Sequence, residues 1–152
     1  MKHLKSFSFK QTQKIAEDLA KKILKAKANK NFAKIIALFG ELGAGKTTFV
    51  SGFFKGLKIK KRSPSPTFIL MRKNKIPNKN NYIYHIDAYR IKNHKEFKEL
   101  GLKEIIKNPQ NILIIEWPQK IQKLLPKNII KIYLKHTKKE NERRIVLKNI
   151  SL

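Results

Sequence analysis

The chain has 152 residues, 36 basic side chains against 10 acidic ones, a formal net charge of +26 and no cysteine. Its length predicts one domain with one sizeable core, and the missing cysteines exclude disulfides and thiolate metal sites. No apolar run approaches the length of a membrane span and the first residues lack the apolar segment of a signal peptide, so we expect a cytoplasmic protein.

The large positive charge has two interpretations. A surface this basic attracts the phosphate backbone of nucleic acids. However, only five of the basic residues are arginine, and the lysines are spread along the whole chain. This distribution favours compositional drift toward lysine over a dedicated nucleic-acid surface.

At the N-terminus, residues 6–9 (SFSF) alternate between polar and apolar and predict a short edge strand. Thr12 is then placed to cap a helix, which carries apolar residues at helical spacing as far as Leu24. We expect that apolar stripe to pack in the core. For Thr12 there is a second interpretation, a position beside a bound nucleotide.

The strongest motif follows an apolar segment over residues 35–39, which predicts a buried strand. Residues 40–47 (GELGAGKT) match the phosphate-loop pattern G-x-x-x-x-G-K-[ST]. The glycines let the loop turn tightly with its N–H groups pointing at phosphate oxygens, and a helix that begins near Lys46 adds the positive end of its dipole. Lys46 is predicted to reach the β and γ phosphates, and Thr47 to ligate Mg²⁺. The alternative is a glycine-rich turn without a ligand, but Lys46 and Thr47 complete the pattern.

After a predicted helix over residues 46–55, residues 60–67 contain two prolines and predict an exposed loop that leads into a strand over 68–71. A loop in this place is typical of a switch segment, in which Thr67 would sense the metal or the γ-phosphate. A rigid turn is an equal alternative. Residues 73–81 predict a polar hairpin or loop.

Two predicted strands end in carboxylates. Asp87 closes the alternating strand 82–87, and Glu116 closes the apolar strand 112–116. A buried strand that delivers an acid at its carboxyl end is how phosphate-loop enzymes build the magnesium side of their site. We therefore predict that Glu116 ligates the metal or activates water, the alternative being a surface acid, and that Asp87 is placed for either task.

Two neighbours of these acids have less specific predictions. His85 is expected to pack in the sheet rather than to bind a ligand. Trp117 is expected either to form a rigid wall beside Glu116 or to pack in the core or at the surface.

The remaining segments predict a broken helix over residues 94–107, a short helix over 119–125, and an antiparallel hairpin of strands over 129–136 and 143–147. Arg143 and Arg144 either reach a base or a phosphate or, as we favour, place charge on an edge strand and so prevent aggregation.

These elements predict the α/β class, with one P-loop ATPase domain over residues 1–152. The central sheet is expected to contain parallel strands at 35–39, 82–87 and 112–116, to be extended by antiparallel strands at its edges, and to be flanked by helices.

Five separated stretches resemble one family, the small bacterial ATPases of tRNA threonylcarbamoyladenosine biosynthesis known as TsaE or YjeE. In chain order they are residues 40–49 (GELGAGKTTF), 65–68 (SPTF), 85–90 (HIDAYR), 99–102 (ELGL) and 115–118 (IEWP). The phosphate loop alone fits very many nucleotide-binding proteins. The other stretches, in this order, are far more specific, and together they span nearly the whole chain.

The resemblance implies an ATPase that binds and hydrolyses ATP with Mg²⁺ to support a complex of the TsaB and TsaD proteins. That complex transfers threonylcarbamoyl to adenosine 37 of tRNAs that read codons beginning with A. By resemblance, Thr47 and Glu116 would ligate Mg²⁺, while Asp87 and Thr67 would assist at the metal or the attacking water. The residues expected to contact the nucleotide are Thr12 on the adenine side, Gly43, Ala44, Gly45, Lys46, Thr47 and Thr48 at the phosphates, and Trp117 at the border.

Two other functions fit part of the sequence. One is a nucleotide-dependent RNA-binding module that uses the lysine-rich surface. The other is a small-molecule kinase, which usually needs a lid carrying arginines, and the five arginines form no such cluster. No arginine finger is evident in the chain itself, so we expect slow hydrolysis in isolation and faster hydrolysis in the partner complex.

Overall fold

A computed structural model describes residues 1–27, 31–60, 70–91 and 95–150. The strands are β1 (Lys2–Ser6), β2 (Lys34–Phe39), β3 (Met71–Lys75), β4 (Tyr82–Asp87), β5 (Ile112–Glu116), β6 (Ile130–His136) and β7 (Arg143–Lys148). The helices are α1 (Phe9–Lys25), α2 (Lys46–Gly56), α3 (Lys95–Glu99) and α4 (Leu102–Lys107), with short 3₁₀ helices at Pro118–Lys120 and Gln122–Leu124. The strands form one mixed sheet in the order β1-β7-β6-β2-β5-β4-β3.

The centre of this sheet is parallel and its edges are antiparallel. Strands β4, β5, β2 and β6 run parallel to one another, whereas β7, β1 and β3 are added in antiparallel pairs. The predicted parallel centre with antiparallel edge strands is therefore confirmed. Strand β6 also belongs to the parallel part, which the hairpin pattern of β6 and β7 did not indicate.

Helices cover both faces of the parallel centre. On one face α1 and α2 pack over the sheet and bury Phe49 and Phe53 completely. On the other face Leu102 and Ile106 of α4 pack against β2, β4 and β5. Because both faces are covered, β2 and β5 need apolar side chains at nearly every position, which explains their continuous apolar runs.

The N-terminal prediction was wrong in register. The strand is β1, which ends at Ser6, and α1 begins at Phe9 after its N-cap Ser8. The Ser8 hydroxyl accepts a hydrogen bond from the Gln11 N–H at 3.2 Å. Phe7 and Phe9 are 59% and 63% exposed, so their alternation does not reflect a buried strand face. Thr12 is not a cap: it is buried inside the helix with its hydroxyl oxygen 2.5 Å from that of Ser6.

The other segments compare with the sequence prediction in different ways. Residues 61–67 of the predicted loop and 68–69 of the predicted strand lie outside the described residues. Strand β3 extends to Lys75 and forms a hairpin with β4, so the hairpin alternative is confirmed with a shorter turn. The broken helix appears as α3 and α4, divided by Gly101 in the left-handed region, and the short helix after Trp117 is two 3₁₀ turns.

None of the helices in the described ranges has the length and apolar character that crossing a membrane requires.

The contact between α1 and α2 depends on Gly52. A Cβ at this position would lie 2.2 Å from the Gln13 carbonyl oxygen and 2.6 Å from the Gln13 Cα. These are backbone atoms, so only a shift of a whole helix could relieve the overlap.

We expect Gly52→Ala to lower the free energy of unfolding by about 1–3 kcal/mol, because overpacking outweighs the gain of roughly 1 kcal/mol in helix propensity. Urea denaturation measures this as a lower midpoint at unchanged slope. Lys22→Ala, at an exposed position of α1, is the control and should change stability by less than about 0.5 kcal/mol. Equal losses in both variants would contradict the steric explanation.

Candidate active site

The carboxyl ends of β2, β4 and β5 meet at one edge of the sheet. Asp87 and Glu116 are directly paired in the parallel register of β4 and β5, and Leu38 of β2 pairs with Glu116 on the other side. The segment from Gly40 to Gly45 leaves β2 at the same edge, so the phosphate loop and both predicted acids are brought together. A cavity of about 290 Å³ lies there, lined by Leu42, Gly43, Gly45, Lys46, Thr47, Thr48, Asp87, Tyr89, Glu116 and Trp117.

The loop needs glycine at two positions for different reasons. At Gly40 a Cβ would lie 2.6 Å from the Leu134 carbonyl oxygen of β6, so the loop backbone rests directly on that strand. Gly45 adopts φ 97° immediately before α2 and provides no side-chain cap for the helix. The first N–H groups of α2 and the positive end of its dipole therefore face the cavity without a side chain of their own to bind, which suits an anion.

Lys46 is buried and folds back over the loop. Its Nζ donates hydrogen bonds to the carbonyl oxygens of Gly40 at 2.8 Å and Glu41 at 2.7 Å, and lies 4.0 Å from the centre of the Trp117 ring. Burial lowers the pKa of the Lys46 ammonium, and the charges of Glu116 and Asp87 partly oppose that shift. The ammonium is thus held at the loop by groups that a phosphate oxygen can replace.

Glu116 uses both of its oxygens. Its Oε1 lies 2.9 Å from His85 Nε2, and its Oε2 accepts a hydrogen bond from the Thr47 hydroxyl at 3.4 Å. Both His85 and Glu116 are buried. An ionised carboxylate can only accept, so Nε2 of His85 carries the proton in this pair. The carboxylate is therefore oriented by β4 and by the start of α2.

His85 is the residue whose role the sequence prediction missed. It packs in the sheet as expected, with its ring 5.9 Å from that of Phe54, but it also bonds to Glu116. The available signal was its spacing: His85 and Asp87 are two residues apart on one strand and so share a face.

Trp117 borders the cavity, as one of its two predictions has it. Its backbone is in the left-handed region at φ 57°, and its ring lies 4.9 Å from that of Tyr89. The Asp87 carboxylate accepts a hydrogen bond from the Tyr89 N–H at 3.0 Å and so holds the turn that carries this tyrosine. The sequence prediction assigned no role to Tyr89.

The structure brings most of the predicted site residues to the cavity and leaves two described ones, Ala44 and Thr12, outside its lining. Ala44 is buried within the loop and does not line the cavity. Thr12 is buried beside Ser6, away from the cavity lining, so its contact with adenine stays a prediction. Thr67 lies outside the described residues.

The oxygen ligands at the site fit Mg²⁺ better than a transition metal. Within the described ranges no three histidine, aspartate or glutamate side chains gather around one point. What the cavity offers is one or two carboxylates, Asp87 and Glu116, and the Thr47 hydroxyl. Mg²⁺ is usually bound in this way, by one or two carboxylates together with substrate phosphates and water.

Comparisons with known proteins agree on one family. The family model described as "Threonylcarbamoyl adenosine biosynthesis protein TsaE" matches residues 7–145. The tRNA threonylcarbamoyladenosine biosynthesis protein TsaE of Rickettsia typhi is 42% identical over 72% of this chain and 81% of its own length. The protein of the same name from Bacillus subtilis is 36% identical over 79% of this chain and 74% of its own.

A solved structure shows the same fold. The crystal structure of Bacillus subtilis YdiB superposes with a TM-score of 0.71 at 30% identity, over 96% of this chain and 84% of that one. The fold is that of a P-loop NTPase, as predicted.

The buried Lys46 ammonium generates a prediction about pH. Its pKa in the folded state lies below the ordinary value of 10.5, so the folded state loses this proton first as the pH rises. At neutral pH the folded state carries the full free-energy cost of burying the charged ammonium. This cost decreases as the pH rises toward 10.5, because the folded state then loses the proton. Wild type should therefore gain stability relative to Lys46→Met over this range. Urea titrations at several pH values measure this difference, with Lys22→Met at an exposed position of α1 as the control; a difference that does not change with pH would contradict it.

Proposed function

Because this chain belongs to the TsaE family of threonylcarbamoyl adenosine biosynthesis proteins, we propose that it binds ATP with Mg²⁺ and hydrolyses it to support a TsaB/TsaD complex in tRNA modification. The observation that carries the proposal is the convergence in one cavity of an uncapped helix N-terminus, a buried lysine and a carboxylate bonded to the loop threonine. Hydrolysis in isolation is slow.

The phosphates bind at the loop. The N–H groups at the start of α2 donate hydrogen bonds to the phosphate oxygens, and Lys46 exchanges the carbonyls of Gly40 and Glu41 for the β and γ phosphates. The lysine is already at the loop, so little rearrangement is needed. Trp117 and Tyr89 stand beside the loop and form an aromatic border to the nucleotide.

Thr47 and Glu116 would hold the metal. Their oxygens lie 3.4 Å apart, so the two ligands are already side by side. Bound Mg²⁺ supplies neutralisation of the charge that develops on the transferred phosphoryl group.

The two acids then have different tasks. Glu116 is occupied on both oxygens by His85 and Thr47, so it is suited to a fixed position at the metal. Asp87 is less buried and uses one oxygen to accept from the Tyr89 N–H. Its other oxygen can orient the water that attacks the γ-phosphate in line, while Lys46 stabilises the charge that develops there.

We attribute the slow hydrolysis proposed for the isolated chain to the residues that line the cavity. No arginine of the described residues lines the cavity. An arginine supplied by a partner protein raises the rate of related enzymes by about 10³ to 10⁵. We infer that the TsaB/TsaD complex completes the site in this way.

The decisive experiment measures ATP turnover of wild type, Lys46→Ala and Glu116→Ala, each alone and with TsaB, TsaD and tRNA. We expect the partners to raise the wild-type rate by about 10³ or more. Each variant should reduce the rate in the complex by on the order of 10² or more, because each removes charge stabilisation in the transition state. Lys22→Ala on the outer face of α1 controls for a lost charge. A wild-type rate that the partners leave unchanged would refute the proposed coupling.

His85 is expected to act as a positioning residue through Glu116. Removing the group that orients a metal ligand typically weakens metal affinity 10- to 100-fold. In His85→Phe the ring remains but the donor is lost, so the Mg²⁺ concentration for half-maximal turnover should rise by about tenfold or more. His85→Gln keeps an N–H donor and should restore much of the affinity.

Binding of ATP without Mg²⁺ separates this role from a general loss of structure. Trp117 is the only tryptophan of the chain and lies at the site, so its fluorescence reports nucleotide binding. Metal-free ATP affinity should be the same in wild type and His85→Phe. If it falls in parallel with the Mg²⁺ affinity, His85 is structural only.

A further inference from the structure

The outer face of strands β1, β7 and β6 carries two rows of directly opposed cations. Lys5 of β1 is paired with Arg144 of β7, which is paired with Lys135 of β6. In a second row Lys148 of β7 is paired with Lys131 of β6. Directly opposed side chains share a face, and so do residues at even spacing along a strand. Five cations therefore lie on one side of the sheet, over an area of about 10 by 13 Å from strand and residue spacings. We call these five residues the basic face.

The basic face is open to solvent. Helices α1 and α2 cover the opposite side of the sheet, and α4 covers β2, β4 and β5. Four of the five cations are exposed and the fifth, Lys131, is half-buried. Between the two rows lie His3, Val146 and Tyr133, none of which is acidic.

Neutralising acids are sparse here, in contrast to α1. On α1, Lys14 and Lys21 form ion pairs with Glu17 and Asp18 within the same helix. On the basic face the ion pairs found in the described part of the chain are limited to Lys5 with Glu142 at 4.0 Å, at the rim. Directly opposed like charges destabilise a sheet. Drift toward lysine explains how many lysines the chain has, but it does not explain why cations are aligned across three strands without acids between them.

One end of the basic face is concave. The first row, Lys5, Arg144 and Lys135, lines a cavity of about 710 Å³ together with Lys138, Lys139 and Glu142 from the turn between β6 and β7. A concave surface with five cations and one acid suits an extended polyanion that passes through it.

The aromatic ring on this face is already in use. Tyr133 stacks on Phe39 with ring centres 4.7 Å apart, and the Lys148 ammonium lies 5.2 Å from the centre of the Tyr133 ring. The ring is therefore not a free platform for a nucleic-acid base. Contacts on this face would be to phosphates, which position a nucleic acid without reading its sequence.

From this arrangement we propose that the basic face binds the phosphate backbone of RNA, without preference for sequence. RNA is favoured over other polyanions because the family acts in tRNA modification. The inference goes beyond the ATPase proposal and does not depend on it, since the five residues lie outside the nucleotide cavity.

The test compares two triple variants that each remove three positive charges. Lys5→Gln/Lys135→Gln/Arg144→Gln changes the first row, and Lys10→Gln/Lys22→Gln/Lys25→Gln changes exposed lysines of α1. Fluorescence anisotropy with a labelled tRNA transcript and with poly(U) measures affinity from about 50 to about 200 mM salt. The first variant should bind about 10- to 100-fold more weakly. The slope of log affinity against log salt concentration should be shallower by about 2, because three phosphate contacts are lost. The α1 variant should stay close to wild type.

Three outcomes would overturn the proposal. Equal losses in both variants would mean that binding follows net charge alone, and no loss in the first variant would exclude its row from the contact. Competition by polyglutamate at the same charge concentration as the RNA would assign the face to an acidic protein. The first variant removes a repulsion and leaves the ATP site intact, so it should fold and retain wild-type ATP turnover. A failed ATPase proposal would leave the RNA measurement interpretable.

Discussion

The buried carboxylate of Glu116 is the constraint on which the geometry of the site depends. A buried charge is tolerated only when it is fully bonded, and Glu116 meets this requirement with partners from two other elements, His85 of β4 and Thr47 of α2. These bonds form only if β4, β5 and β2 keep the observed parallel register. A shift of one residue in either pair would turn Glu116 or His85 to the opposite face of the sheet. The register that builds the core therefore also places the acid against the phosphate loop.

Lys46 poses the same problem with the opposite charge. Without a nucleotide it would be a desolvated ammonium beside a loop that must stay open, and it is stabilised by two loop carbonyls and the Trp117 ring. The lowered pKa shows that these contacts do not fully replace water. Phosphate oxygens compensate the charge better than carbonyls do, so the buried ammonium favours binding of an anion at this position. Glu116 and Lys46 both have hydrogen-bond partners at the cavity before any ligand is present.

The parts of this site that are local in sequence were predictable, and the parts that depend on pairing between distant strands were not. The pattern over residues 40–47 and the acids at the ends of one alternating and one apolar strand predicted the loop, Asp87 and Glu116 in their observed places. The bond between His85 and Glu116 joins residues 31 positions apart, and only the parallel register of β4 and β5 creates it. At the N-terminus the polar–apolar alternation of residues 6–9 predicted a strand in the wrong place. Phe7 and Phe9 are exposed, and an alternation of exposed residues carries no information about a core. The placement of β6 beside β2 is a topological choice that no local pattern encodes.

Strand β6 connects the two surfaces to which we assign function. Its backbone supports the phosphate loop, because a Cβ at Gly40 would lie 2.6 Å from the Leu134 carbonyl oxygen. Its outward-facing side chains contribute Lys135 and Lys131 to the basic face. The loop contacts a backbone atom of β6 and the basic face uses its side chains, so the same strand can take part in both. The number of lysines can change by drift with little structural consequence, but the position of Lys135 and Lys131 opposite Arg144 and Lys148 is set by the antiparallel pairing of β6 with β7. An RNA bound to this face would therefore rest on the strand that shapes the nucleotide site, and the two ligands would share one structural support.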